Sequence, residues 1–164
     1  SEYPGRDIRE WLMDADITHI SNEVSFAPDC PPGNPFTGSL MFCSRPEYID
    51  LFTYVGADVI ELTGNHMNDW GRKNLLFSLD LYRKTGLPYF ASGEEIKAAR
   101  KPVRFEINGN KIAFIGCKAP GPDYAWPTEK LAGTAACEDF TWIQNKTRSM
   151  PEEGYVVIAP MQYN

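Results

Sequence analysis

Apolar positions along this chain recur in two rhythms, one close to a helical turn and one alternating or continuous over four to six residues. The first helical stretch is residues 6–13, with Ile8, Trp11 and Leu12 on one face. Residues 17–24 read as a strand, and residues 25–43 as a long, proline-rich irregular loop. Ser44-Arg45-Pro46-Glu47 has the composition of a helix start: serine as N-cap, proline in the first turn, glutamate three residues after the cap. The helix it opens should bury Tyr48, Leu51, Phe52 and Val55 and stop at Gly56. A buried strand follows at 58–62, then an amphipathic helix from about Gly71 to Thr85 with Leu75, Leu76, Leu79 and Tyr82 as its stripe and Gly86 as its stop. Residues 87–91 predict a short strand and 94–99 a helical turn or two. Segments 103–107 and 111–117 flank Asn108-Gly109-Asn110, a strong hairpin signal. A looser region covers 118–136, a helix 140–149, and a last buried strand 155–159. Strands alternating with helices predict an α/β sheet with a hairpin at its later edge. The chain starts on a helix and stops just past a buried strand. One domain spanning 1–164 and incomplete at both ends is therefore expected.

Composition narrows the partners. A hydrophobic share of 43% and a charged share of 23% suit a globular domain with a real core. The net charge of −6 is diffuse, and no basic cluster matches a phosphate-backbone footprint, so no nucleic-acid partner is expected. No apolar run approaches a membrane span of about 18 residues or more. No signal peptide opens the chain at Ser1, so any targeting segment is removed or lies outside this sequence.

The four cysteines change the picture more. Cys30 and Cys43 bracket one irregular loop, and Cys117 and Cys137 a second. Of the three connectivities open to four cysteines, 30–43 with 117–137 is the favoured one, since each pair then closes its own loop. Stable disulfides imply an oxidising compartment. The expected location is therefore extracytoplasmic or at the cell surface, secreted or lipid-anchored in the full-length protein. The alternative is four buried thiols in a cytosolic domain. A zinc site is disfavoured, because no Cys-x-x-Cys pair exists.

Candidate chemistry concentrates in Leu62-Thr63-Gly64-Asn65-His66-Met67-Asn68-Asp69-Trp70-Gly71, at the end of the 58–62 strand. Ligands bind at such strand ends in open α/β sheets. Asn65 offers a hard amide oxygen and His66 an imidazole nitrogen, both usable by a divalent metal. Asn65 and Asp69 are equally plain turn residues, and Asp69 could cap the helix that follows. His19, inside a strand, reads as a satisfied histidine and not as a ligand.

The order of motifs resembles a known family. Ala15-Asp16-Ile17-Thr18 leading to Glu23, then Gly64-Asn65-His66 with Asp69 and Gly71, is similar to bacterial capsule-synthesis proteins of the CapA type, which serve poly-γ-glutamate biosynthesis. Residues 85–93, the 98–102 segment, the 105–116 hairpin and the 155–159 strand extend the likeness over roughly 14–164. The resemblance implies a calcineurin-like metallophosphatase layered sandwich, here partial, with a mixed sheet and flanking helices. It further implies a metal-dependent phosphoesterase-like hydrolase of the envelope. A divalent metal (Mn, Fe, Zn or Mg) would be held by Glu23, Asn65 and His66, with His66 and Asp69 catalytic.

Departures from the family pattern qualify that chemistry. Family members carry Asn-Leu-Glu where this chain has Ser21-Asn22-Glu23, and His-x-Gly-x-Glu where it has Met161-Gln162-Tyr163-Asn164. A methionine thioether is a poor ligand for such metals. An incomplete metal site is therefore expected, absent altogether in one version of the reading. The alternative is a non-catalytic envelope module of the same fold that binds an anionic polymer or glycan. Trp70 and Trp126 would then be its substrate-binding surfaces, Tyr124 and Tyr163 further candidates, and other envelope biosynthesis proteins its partners.

Overall fold

The computed structural model describes residues 2–34, 38, 40–119 and 121–162. A short 3-10 turn, Tyr3–Gly5, precedes helix α1 (Arg9–Met13). Strand β1 is His19–Ser21. A second 3-10 turn, Pro46–Ile49, runs into α2 (Asp50–Tyr54), followed by β2 (Val59–Glu61) and the long helix α3 (Gly71–Thr85). Next come β3 (Tyr89–Phe90), β4 (Ser92–Gly93) and α4 (Ile96–Ala99). The hairpin is β5 (Val103–Ile107) and β6 (Asn110–Phe114), and β7 is Cys117–Lys118. After a 3-10 turn at Asp123–Ala125 the chain forms β8 (Gly133–Thr134), α5 (Phe140–Glu152), β9 (Tyr155–Ile158) and β10 (Met161–Gln162).

Two three-stranded sheets make the body. The first is β1-β2-β3, all parallel, with Ile20 beside Ile60 and Ile60 beside Tyr89. The second is β5-β6-β9, an antiparallel hairpin joined to a parallel strand. Two short ladders, β4-β8 antiparallel and β7-β10 parallel, tie later segments to them.

Side-chain alternation along the strands sorts the core into layers. Ile60 and Leu62 face α3, packing with Phe26, Leu75, Leu79 and Tyr82. Val59 and Phe90 face the other way, onto Phe114, Val103, Phe105 and Ile112 of the second sheet. The far side of that sheet, through Ala113, Tyr155 and Val157, packs on Ile143 and Met150 of α5. The order helix, sheet, sheet, helix is the layered α/β sandwich with flanking helices that the resemblance implies.

Several expectations shift for physical reasons. Ser44 does not cap a helix. Its backbone is engaged with Ser25 and Ala27 across a bridge at Phe26, and Arg45 takes the cap position without a side-chain bond. The entry turn is 3-10, with three residues per turn, which rotates the phase. Ile49 is therefore buried in place of Tyr48, which is exposed. Ile8 and Trp11 are also exposed, so α1 does not bury the face assigned to it. The 155–159 strand is only half buried. β9 is the edge of its sheet, and Val156 and Ile158 extend beyond the cover that sheet one gives Ile112 and Phe114.

On α3, Leu76 points outward and Ser78 takes the buried place. Ser78 Oγ accepts the Phe26 amide at 2.7 Å and donates to the Asn74 carbonyl at 2.7 Å. Ser78→Ala should strand the Phe26 N–H in the core, a loss of about 1–3 kcal/mol readable as a lower urea midpoint at unchanged m-value. An unchanged midpoint would mean that Phe26 finds another acceptor.

Candidate functional site

Beyond β1 and β2 the two chain segments stay in contact. Val24 bridges His66 in parallel, and the Asn22 amide donates to the Glu61 carbonyl at 2.9 Å. Gly64 lies against the backbone of Glu23 so closely that a Cβ there would overlap it. Glu23 and Gly64-Asn65-His66 therefore meet through main chain, and the Glu23 side chain is exposed. Fully buried Met67 anchors the segment in the core. Successive turns, Asp69 N to His66 O at 3.2 Å and Gly71 N to Asn68 O at 2.9 Å, lead it into α3.

The centre of the site is His66. Its Nδ1 lies 2.7 Å from Asp69 Oδ2, and its Nε2 lies 3.1 Å from the Asn65 amide nitrogen. An ionised carboxylate only accepts, so Nδ1 carries the proton and Nε2 presents its lone pair. Asp69 orients His66 and does not cap α3, whose cap position is Trp70 without a side-chain bond. Asp69 also accepts the Phe42 amide at 2.8 Å, and the Phe42 ring stands edge-on to His66 at 4.7 Å. Cys30–Cys43 closes the loop that delivers Phe42.

The 122–133 segment is clamped onto the start of α3. Arg72 donates to the carbonyls of Trp126, Ala132 and Tyr124, and Asn68 Nδ2 donates to the Ala125 carbonyl at 3.2 Å. Trp70 lines a groove with Pro31, Phe42 and the Cys30–Cys43 bridge. The indole nitrogens of Trp70 and Trp126 are both buried without a partner, whereas Tyr124 is 65% exposed. Tyr163 and Asn164 lie outside the described residues. Met161, in β10, is exposed and pairs with Cys117.

Two charged groups stand out beside this corner. Glu61 is buried and satisfied, accepting from Thr63 Oγ1 and pairing with His19 Nε2 at 3.0 Å. His19 is thus a partnered histidine, as its place in a strand suggests. Lys118 is buried completely, and its ammonium has no hydrogen-bond partner among the described residues. Burial pushes its pKa below the ordinary lysine value, with nearby Asp69 opposing the shift. Phe42, Arg72 and Lys118 are neighbours of the candidate site that the sequence motifs do not point to. For Lys118 a signal existed: a lone charge at the end of the apolar run from Ile112 to Cys117.

As a metal site the donor set is short. Among the described residues no three His, Cys, Asp or Glu side chains lie close enough to share an ion. The amide atom facing His66 Nε2 is a donor nitrogen, and turning the amide over would bring its oxygen there instead. One imidazole and one amide oxygen, with Glu23 adjacent only through backbone, do not fit a two-metal centre.

The layered α/β sandwich, with a mixed arrangement of strands and flanking helices, is a metallophosphatase-like fold. The chain belongs to the family described as "Bacterial capsule synthesis protein PGA_cap", whose model matches residues 1–159. It is similar to "Capsule biosynthesis protein CapA" of Bacillus anthracis, 27% identical over 73 residues, which is 44% of this chain and 18% of that protein. The match thus spans less than a fifth of the relative's length. No helix among the described residues is long and apolar enough to cross a membrane.

Proposed function

We propose that this chain serves capsule or poly-γ-glutamate biosynthesis at the cell envelope as a hydrolase-like domain with His66 as its acid–base group. The observation that carries this is the 2.7 Å contact between His66 Nδ1 and Asp69 Oδ2. A carboxylate on Nδ1 fixes the tautomer and stabilises the imidazolium that forms when Nε2 takes a proton. His66 would accept a proton from water or a hydroxyl at Nε2 and return it to the leaving group. The Asn65 amide, now bonded to Nε2, is placed to orient the incoming nucleophile instead. A divalent cation would meet Asn65 and His66 first. An extracytoplasmic location is supported by the two disulfides.

The test follows cleavage of a γ-linked glutamate polymer by size-exclusion chromatography and of an aryl phosphate by absorbance. His66→Gln should lower whichever rate the wild type shows by about 100-fold, and Asp69→Asn should act in the same direction. Equal rates in His66→Gln and wild type would sink the acid–base reading. The second reading, a non-catalytic binder of an anionic polymer or glycan, is favoured by the groove beside Trp70. It predicts polymer binding without turnover, weakened by Trp70→Ala or Trp126→Ala and untouched by His66→Gln.

A further inference from the structure

Lys118 is the group that the acid–base reading leaves unused. Its residue exposure is 0% and its Nζ carries three donors with no acceptor among the described residues. An unpaired buried ammonium is costly, and a fold that needed only packing there would be served by methionine or leucine. The backbone of Lys118 is fully engaged. Its amide donates to the Ala135 carbonyl at 2.8 Å, its carbonyl accepts from the Cys137 amide at 2.9 Å, and it pairs with Gln162 of β10. The strand is fixed, and only the ammonium lacks a counterpart.

Gly121 is part of what covers the ammonium. Gly121 is itself exposed, yet a Cβ built on it would meet Lys118 Nζ at 2.5 Å. An exposed glycine therefore lies directly against the buried ammonium. That glycine has φ +141°, a conformation L side chains rarely adopt. On the protein side, Asp69 is the opposite charge that acts on Lys118. Asp69 is already committed to His66 and to the Phe42 amide. A buried cation with no acceptor among the described residues, an exposed glycine against its ammonium and a nearby carboxylate already committed elsewhere is suited to receive an anion from outside.

We propose that Lys118 is the oxyanion-recognising cation of this site, taking a carboxylate or phosphate group of the ligand when Gly121 moves off its ammonium. The inference rests on the His66–Asp69 corner as the working site and names the ligand chemistry for it: an oxyanion held beside the acid–base pair. Arg72 is less suited to that role, because its terminal guanidinium nitrogens already donate to three backbone carbonyls.

The experiment measures melting temperature of the full chain against inorganic phosphate and, separately, against glutarate, with chloride at equal ionic strength as the reference. The wild type should be stabilised beyond chloride by at least one of the two. Response to phosphate alone assigns a phosphoryl group, response to glutarate alone a carboxylate polymer, and response to both a general oxyanion pocket. Lys118→Met should weaken the apparent affinity by about 10- to 100-fold. Without added anion, Lys118→Met should melt at or above wild type, since it removes an unpaired charge. Gly121→Ala, which keeps the charge but crowds it, should also lose the response, and it serves if Lys118→Met does not fold. His66→Gln should keep the anion response whatever its effect on turnover, so the two readings fail separately. A wild type indifferent to both anions, a Lys118→Met chain that responds normally, or one that is destabilised without anion would overturn the proposal.

Discussion

Replacing Cys117 and Cys137 together with serine is expected to cost about 3–5 kcal/mol of stability, a fall in melting temperature on the order of 10 °C. The bridge closes a separation of 20 residues. Both half-cystines are buried, among Ala113, Ile115, Ile143 and Met150 in the core under α5. Two serine hydroxyls placed among these apolar side chains add a burial cost to the lost constraint. β7 would lose its covalent tie to the 133–137 segment and keep only the backbone bonds of Lys118 to Ala135 and Cys137. Cys30–Cys43 should behave differently. It spans a separation of 13, and the described residues between its cysteines are exposed, so its removal should shift global melting less and the His66 corner more, through Phe42. Thermal melts of the two double-serine chains without reductant check this. Near-equal melting of wild type and the 117/137 variant would show that neither closure nor burial at this bridge contributes as argued.

Local signals in the sequence survived into the structure. Helix α3 fills the span read from its stripe and its Gly86 stop. Asn108-Gly109 makes the hairpin turn, with φ of 51° and 76°, because that dipeptide supplies the backbone conformation by itself. The cysteine pairing was legible because each pair closes its own loop.

Tertiary competition decided the rest. A serine that looks like a cap is drawn into a bridge with Phe26. A serine inside an apolar stripe is buried because the Phe26 amide needs an acceptor. Val156 and Ile158 alternate like core residues but sit on a sheet edge, and no pattern within a strand reports its place in a sheet. At the site, Asn65, His66 and Asp69 were legible as a short contiguous motif. Phe42 and Lys118 reach the same corner from segments 24 residues before and 52 residues after His66, counted on the sequence numbering, so only the fold brings them together.

Gly64→Ala should be the most damaging single change at the site, costing about 3 kcal/mol or more. The reason is a crossing of two main chains. The hydrogen of Gly64 faces the Cα, carbonyl carbon and carbonyl oxygen of Glu23, and a methyl group cannot share that space. Backbone cannot swing aside as the end of a long side chain can, so one segment must move. Thr63 is fully buried, its hydroxyl bonded to Glu61, and Met67 is locked in the core. The 64–66 segment is therefore held at both ends. Displacement falls on the 22–24 segment, and the Val24–His66 bridge is the contact that breaks. His66 then loses its neighbour strand while keeping Asp69 in its own turn. The expected result is a large drop in melting temperature together with loss of any function that needs Glu23 and His66 side by side. Asn65→Ala, which removes a side chain at the next position without touching the crossing, should leave stability within about 1 kcal/mol of wild type. Paired denaturation curves separate the two. If Gly64→Ala were no less stable than Asn65→Ala, the main-chain crossing would not be what holds Glu23 against the His66 segment.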